Sequence, residues 1–191
     1  MLASRTMITA GNLVLIGPMG AGKSTLAAAL GQLLRLPVRD LDREIEAASG
    51  DTVTGLFERF GEAHFRAQEN AVLESLLTVD GQVIACGGGV VLAARNRELL
   101  RARAFVVWLD ASPEVLEARL RGDDSRPLLR APNLEVRLAE LAAQRDPLYA
   151  EAADLRFAVN DAPLVDQAAM LVTRLPAFWL GGQPGDSAIG G

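Results

Sequence analysis

Nine residues, Gly17-Pro18-Met19-Gly20-Ala21-Gly22-Lys23-Ser24-Thr25, restrict this chain more than any other stretch. An apolar run over residues 13–16 leads into them, and Leu26-Ala27-Ala28-Ala29-Leu30 leads out. Strand, glycine-rich loop and helix, in that order, are the setting in which G-x-x-x-x-G-K-[ST] carries weight. Glycines at 17, 20 and 22 let the backbone turn tightly and approach an anion, so that successive N–H groups and the helix N-terminus converge on it. Lys23 adds a mobile positive charge suited to β- and γ-phosphates, and the Ser24 hydroxyl can ligate Mg²⁺. The stretch reads as the cradle of a nucleoside triphosphate, with Gly20, Ala21, Gly22, Lys23, Ser24 and Thr25 around the phosphates.

Lys23 is the single lysine among 19 basic residues. A chain that uses arginine everywhere else places lysine here, where a compact ammonium fits between phosphate oxygens and a planar guanidinium does not.

The 191 residues suit one α/β domain with a sizeable core. A hydrophobic content of 50% with only 5% aromatics fits Ala/Leu/Val-rich helices on a small sheet. The net charge of -5 argues against a broad nucleic-acid-binding surface, so an anionic ligand has to be held by local arginines. Cys86 is the one cysteine, which excludes an intrachain disulfide and a Cys-rich metal site, and His64 is the one histidine, which removes Ser-His-Asp and Cys-His catalysis. No segment has the length and apolarity of a membrane span, and the expectation is a soluble, cytoplasmic protein without membrane attachment. Residues 1–10 carry no clear pattern, so Met7 is an alternative start.

Along the chain, a first strand is expected at 12–16 and a helix from 23 to about 34. Leu36-Pro37-Val38 breaks that helix and starts a short strand, which delivers Asp40-Leu41-Asp42 at its C-terminal end, where open parallel sheets bind ligands. A short helix over 42–50 stops at Gly50. Val53, Leu56, Phe57 and Phe60 repeat at helical spacing, Gly61-Glu62 punctuates them, and a further helix carries Phe65, Val72, Leu73, Leu76 and Leu77 on its apolar side. A third strand over 82–86 ends in Gly87-Gly88-Gly89, which implies that something approaches the backbone closely.

A basic helix is expected over 93–102, a buried strand over 105–109, and a helix opened by Ser112-Pro113-Glu114 that reaches about 121. Arg126-Pro127-Leu128-Leu129-Arg130-Ala131-Pro132 cannot continue a helix and reads as a mobile lid spanning about 119–132. Helical spacing returns over 134–149, with a break expected near Pro147. A last strand over 155–159 and a last helix over 163–175 complete one domain, 1–180, before a Gly-rich tail, 181–191, expected to be disordered. Strands alternating with helices give a parallel sheet with right-handed crossovers.

Two carboxylates, Asp40 and Asp42, fall where the γ-phosphate of a bound triphosphate would lie. One can position Mg²⁺ and the other can accept a hydroxyl proton, or Asp42 can simply cap the helix that follows. Arg66 and Glu69 stand one helical turn apart, which alone means no more than an ion pair.

Taken together, GPMGAGKST, Asp40-Leu41-Asp42, Ile45-Glu46, Phe57, GEAHFRAQE, Gly87-Gly88-Gly89, Arg126-Pro127-Leu128-Leu129 and Arg145-x-Pro147-Leu148-Tyr149 resemble the shikimate kinase family, in order and at matching separations, over about residues 13–175. The resemblance implies a P-loop kinase fold like that of nucleoside monophosphate kinases, a five-stranded parallel sheet flanked by helices. It also implies phosphorylation of the 3-hydroxyl of shikimate by MgATP, on the route to chorismate and the aromatic amino acids, by a monomer. On that resemblance Asp42 binds the shikimate hydroxyls and serves as base. Arg66 and Arg145 grip its carboxylate, the Gly88 backbone lies close to the ring, Glu69 steadies Arg66, and Phe57 and Phe65 wall the pocket. Lys23 and Ser24 keep the roles derived above, Arg126 reaches the phosphates, Arg119 lies against adenine, Asp40 acts through Mg²⁺-bound water, and Asn160 lies near the adenine pocket. Two arginines are also what bidentate recognition of a planar carboxylate needs.

Other residues keep plain readings: His64 at the surface, Cys86 in the core, Trp179 packing the C-terminus down. The competing functions are another small-molecule P-loop kinase, such as a gluconate kinase, whose acceptor pocket does not need the Arg66, triple-glycine and Arg145 set, and a ligand-sensing module of the same fold without turnover.

Overall fold

In a computed structural model of the protein, residues 11–120, 134–160 and 162–177 are described. β1 (Asn12–Ile16) is buried at every position, and its alternation divides the core in two. Leu13 and Leu15 face one layer with Leu26, Leu30, Phe157 and Leu171, while Val14 and Ile16 face the other with Leu41, Ile45, Leu73, Trp108 and Tyr149. A strand covered on both faces has to read as a continuous apolar run, which is how residues 13–16 read.

The order along the chain is β1, α1 (Lys23–Leu34), β2 (Val38–Asp40), α2 (Leu41–Ser49), α3 (Val53–Leu76), β3 (Val83–Ala85), a 3-10 turn (Val90–Leu92), α4 (Ala94–Arg103), β4 (Ala104–Asp110), α5 (Pro113–Leu120), α6 (Leu134–Ala152), β5 (Leu155–Ala158) and α7 (Leu164–Arg174). The five strands form one parallel sheet in the order β2-β3-β1-β4-β5, with Leu13 opposite Val83 on one side of β1 and Phe105 on the other. The sheet is the five-stranded parallel one expected from sequence. Because β1 lies centrally while β2 and β4 fall on opposite sides of it, the loop after β1 opens at the switch point of the sheet.

The punctuation at Gly61 is real. Its φ of 78° and ψ of 173° break the helical path inside α3, a conformation open to glycine and not to side-chain-bearing residues. The expected break at Pro147 is not. Pro147 lies inside α6, which runs on to Ala152. Proline removes one helical hydrogen bond at a cost of about 3 kcal/mol, but Tyr149 and Ala152 beyond it are almost fully buried against the sheet, and that packing outweighs the lost bond. Asp40, not Asp42, caps α2: its Oδ1 accepts from the N–H groups of Asp42 and Arg43. His64 is exposed beside the Phe60 ring, and Cys86 is buried. The segment beyond Leu120 that was expected to be a lid, Arg126 within it, Trp179 and the Gly-rich tail lie outside the described residues. Among the described residues no helix is long and apolar enough to cross a membrane.

Candidate active site

The loop after β1 is bent by its glycines. Gly17, Gly20 and Gly22 have φ of 139°, 84° and 91°, and a Cβ on Gly20 would fall 2.9 Å from the Leu120 side chain. Gly22 forms the N-cap of α1, which has no side-chain cap and no acidic residue in its first turn. The first N–H groups of α1 therefore face the loop with a positive end-charge that favours an anion. Lys23 folds back over this loop: Nζ donates to the carbonyls of Gly17 at 2.9 Å and Pro18 at 2.7 Å.

Next to Lys23, the Ser24 hydroxyl donates to Asp40 Oδ2 at 2.6 Å. A hydroxyl and a carboxylate oxygen in contact are hard donors of the kind Mg²⁺ takes, and that ion commonly uses one or two protein oxygens beside phosphate and water. The donor set fits. Thr25 follows on the same exposed turn. Arg119, near the end of α5, crosses the loop edge: Nη1 donates to the Ala21 carbonyl at 3.2 Å and Nη2 to the Asn160 carbonyl at 3.1 Å. The guanidinium thus bridges the phosphate loop to the segment after β5.

A cavity of about 400 Å³ opens beside this loop. Asp42, Phe57, Phe65, Arg66, Glu69, Gly88 and Arg145, distant in sequence, all line it. The three glycines after β3 explain how they meet. A Cβ on Gly87 would fall 2.7 Å from Asp42 Oδ1, one on Gly88 would lie 3.7 Å from Arg145 Nη1, and one on Gly89 would fall 2.7 Å from Arg66 Cζ. The close approach expected at this turn is made by Asp42 at Gly87 and Arg66 at Gly89, while Gly88 packs first against the backbone of the loop after β1, with Met19 N at 3.3 Å and Gly17 O at 3.4 Å from the Cβ position, and Arg145 lies just beyond.

Arg66 is fixed from several sides. Nη1 donates to both carboxylate oxygens of Glu69, at 2.8 and 3.0 Å, Nη2 reaches Glu62 at 3.2 Å, and its cation lies 5.1 Å from the Phe65 ring centre. Phe57 and Phe65 pack with ring centres 4.4 Å apart and planes tilted by 31°. Glu69 is fully buried, and burial raises its carboxyl above the ordinary range, while the Arg66 charge and hydrogen bond pull the other way. Arg145 is 8% exposed; Nη1 donates to the Gly88 carbonyl at 3.3 Å, and its buried Nε has no hydrogen-bond partner. A buried guanidinium with a donor unused is costly unless an acceptor completes it.

Glu46 and Tyr149 were missed as site residues. Glu46 lines the cavity and accepts from the Val53 N–H at 2.9 Å, and the Tyr149 hydroxyl donates to the Gly88 carbonyl. Each stands four residues after a predicted site residue, Asp42 and Arg145, on the same helix face, so helical spacing was the available signal.

The family model for shikimate kinase matches residues 19–175. A shikimate kinase of Pseudomonas savastanoi pv. phaseolicola is 46% identical over 152 residues, 80% of this chain and 88% of that protein. One from Xanthomonas euvesicatoria is 42% identical over 173 residues, 91% of this chain and 96% of that protein. Among solved structures, a shikimate kinase from Acinetobacter baumannii in complex with shikimate superposes with a TM-score of 0.84 at 40% identity, covering 87% of this chain and 93% of that one. A match of this extent, in sequence and in fold, places the chain in the shikimate kinase family.

Proposed function

We propose that this chain transfers the γ-phosphoryl group of ATP to the 3-hydroxyl of shikimate, giving shikimate 3-phosphate and ADP, with the cavity beside the phosphate loop as the acceptor site. The observation that supports it best is the meeting of Asp42, Arg66 and Arg145 on one glycine turn, next to a phosphate cradle. Shikimate is a small hydroxylated ring bearing one carboxylate. Two guanidiniums lining the cavity suit the carboxylate, and Asp42 suits the hydroxyls.

On this reading the loop N–H groups, Lys23 and the α1 N-terminus hold the phosphates and stabilise the charge that shifts onto the β–γ bridging oxygen as its bond to phosphorus breaks. Asp42 accepts the proton of the 3-hydroxyl as the new oxygen–phosphorus bond forms. Ser24 and Asp40 would hold Mg²⁺, which when bound neutralises phosphate charge. Arg66 and Arg145 orient the acceptor, so the step is mostly positioning and charge neutralisation. Arg119, braced on Ala21 and Asn160, sits on the nucleobase side.

The test is product identity. Incubation with MgATP and shikimate, followed by phosphorus NMR, is expected to show one new phosphomonoester coupled to the proton on carbon 3. A phosphorylated product at another hydroxyl would overturn the assignment of Asp42 as the base for that position.

A further inference from the structure

Three successive glycines form the least constrained backbone a chain can have, because glycine loses the most conformational freedom on ordering. Here that backbone has to hold Asp42, Arg145 and Arg66 in register. Two of its carbonyls are held locally, that of Gly87 by the Val90 N–H at 3.1 Å and that of Gly89 by the Leu92 N–H at 3.0 Å, which leaves the Gly88 carbonyl to be fixed from outside the turn. The exit of the turn is held from α4, where the fully buried Asn96 donates to the Val90 carbonyl at 2.9 Å. At the centre, the Gly88 carbonyl receives two donors from α6, the long bond from Arg145 Nη1 at 3.3 Å and the short one from the Tyr149 hydroxyl at 2.5 Å. The tyrosine ring is 1% exposed and lies against Trp108 of β4, with centres 5.8 Å apart and planes 29° apart. The hydroxyl therefore reaches the turn from a rigid base in the sheet.

We infer that Tyr149 is a positioning residue of the acceptor site: its hydroxyl fixes the Gly88 carbonyl, and thereby leaves the Arg145 guanidinium to meet the substrate carboxylate. This rests on the functional reading above. Tyr149 takes the strong share of the Gly88 carbonyl, so Arg145 keeps only a long bond to it and a buried Nε without partner. Without the hydroxyl, the part-buried Gly88 carbonyl loses its short donor, and the other donor already in reach is Arg145. The guanidinium would then close onto the backbone and away from the carboxylate.

The expected effect is selective. Tyr149→Phe keeps the ring and its contact with Trp108, and is expected to raise KM for shikimate about tenfold, with KM for ATP unchanged and kcat lowered by less than about threefold. A double-mutant cycle ties the effect to Arg145: in an Arg145→Ala background, Tyr149→Phe is expected to add nothing further to KM for shikimate. Equal rises in both KM values, or effects that multiply in the double variant, would overturn the role. So would a Tyr149→Phe enzyme that matches an active wild type.

Tyr149 is the one tyrosine in the chain, so growth on 3-fluorotyrosine labels this position alone without any substitution. Its ¹⁹F resonance is expected to shift when shikimate saturates the labelled protein, and not when shikimate saturates labelled Arg145→Ala. A resonance unmoved in the first case, or moved equally in both, would contradict the coupling. A wild type that neither binds shikimate nor releases ADP with it would overturn the functional reading and this role together, and is distinct from an active wild type indifferent to Tyr149→Phe.

Discussion

The guanidinium of Arg66 lies so close over Gly89 that a Cβ there would fall 2.7 Å from its Cζ. Arg66 cannot simply swing aside, because Glu69 holds Nη1 with both oxygens and the Phe65 ring covers the cation. Gly89→Ala is therefore expected to displace the guanidinium and raise KM for shikimate roughly tenfold or more, which corresponds to about 1.4 kcal/mol of lost binding, with KM for ATP unaffected. Steady-state kinetics varying each substrate in turn checks it. Parallel rises in both KM values would point instead to a general disturbance of the fold.

Glu69 links the site to pH. Its carboxyl is raised above the ordinary 4.5 mainly by burial, with Arg66 opposing and the charges of Asp42 and Glu62 adding to the rise. An acid with a raised folded-state pKa binds its proton more tightly when folded. By itself Glu69 therefore costs stability at neutral pH, and that cost diminishes as pH falls through the raised pKa toward 4.5. Activity is expected to move the other way, because protonation of Glu69 weakens its hold on Arg66. A profile of kcat/KM for shikimate is expected to fall on its acid side above pH 4.5, and Glu69→Gln is expected to lose that limb while binding shikimate more weakly at neutral pH. An identical acid limb in both proteins would assign it to another group.

Lys23→Ala and Asp42→Asn separate the two halves of the chemistry. Lys23 donates to the Gly17 and Pro18 carbonyls, and on the proposed reading turns to the phosphates when nucleotide binds. Its loss is expected to lower kcat by about 10²–10³-fold, the scale for removing one preorganised charge-stabilising donor. Asp42→Asn removes the proposed proton acceptor and is expected to lower kcat about 10²-fold or more while the thermal midpoint changes little. Full turnover in Asp42→Asn would remove Asp42 from the role of base.

Asp40 has two duties that can be told apart. Oδ1 caps α2, a contribution of about 1 kcal/mol, and Oδ2 accepts from Ser24 where Mg²⁺ is proposed. Asp40→Asn retains a side-chain oxygen for the cap and loses the charge. Its expected phenotype is a raised Mg²⁺ requirement for ADP release, with only a small change in thermal midpoint. An unchanged Mg²⁺ titration would leave Asp40 a cap alone.

The phosphate loop was fully legible, since its glycines, lysine and flanking strand and helix are set by residues close in sequence. The triple glycine announced that something comes close to the backbone, but only the packed sheet brings Asp42, Arg145 and Arg66 onto it. Local rules misled at Pro147, because the burial of Tyr149 and Ala152 that carries α6 through the proline is tertiary. They also assigned the possible α2 cap to Asp42, where the turn after β2 gives it to Asp40. Glu46 and Tyr149 were hidden for a similar reason: an i,i+4 neighbour shares a helix face, yet what that face meets is decided by other elements.

The most direct test of shikimate phosphorylation is ADP release by the purified protein with MgATP, alone and with shikimate, gluconate or a nucleoside monophosphate as acceptor. ADP formation is expected to rise many-fold with shikimate and to stay at the background rate with the other two. Nucleotide binding without acceptor-dependent ADP release, or release that follows gluconate or the monophosphate, would contradict it.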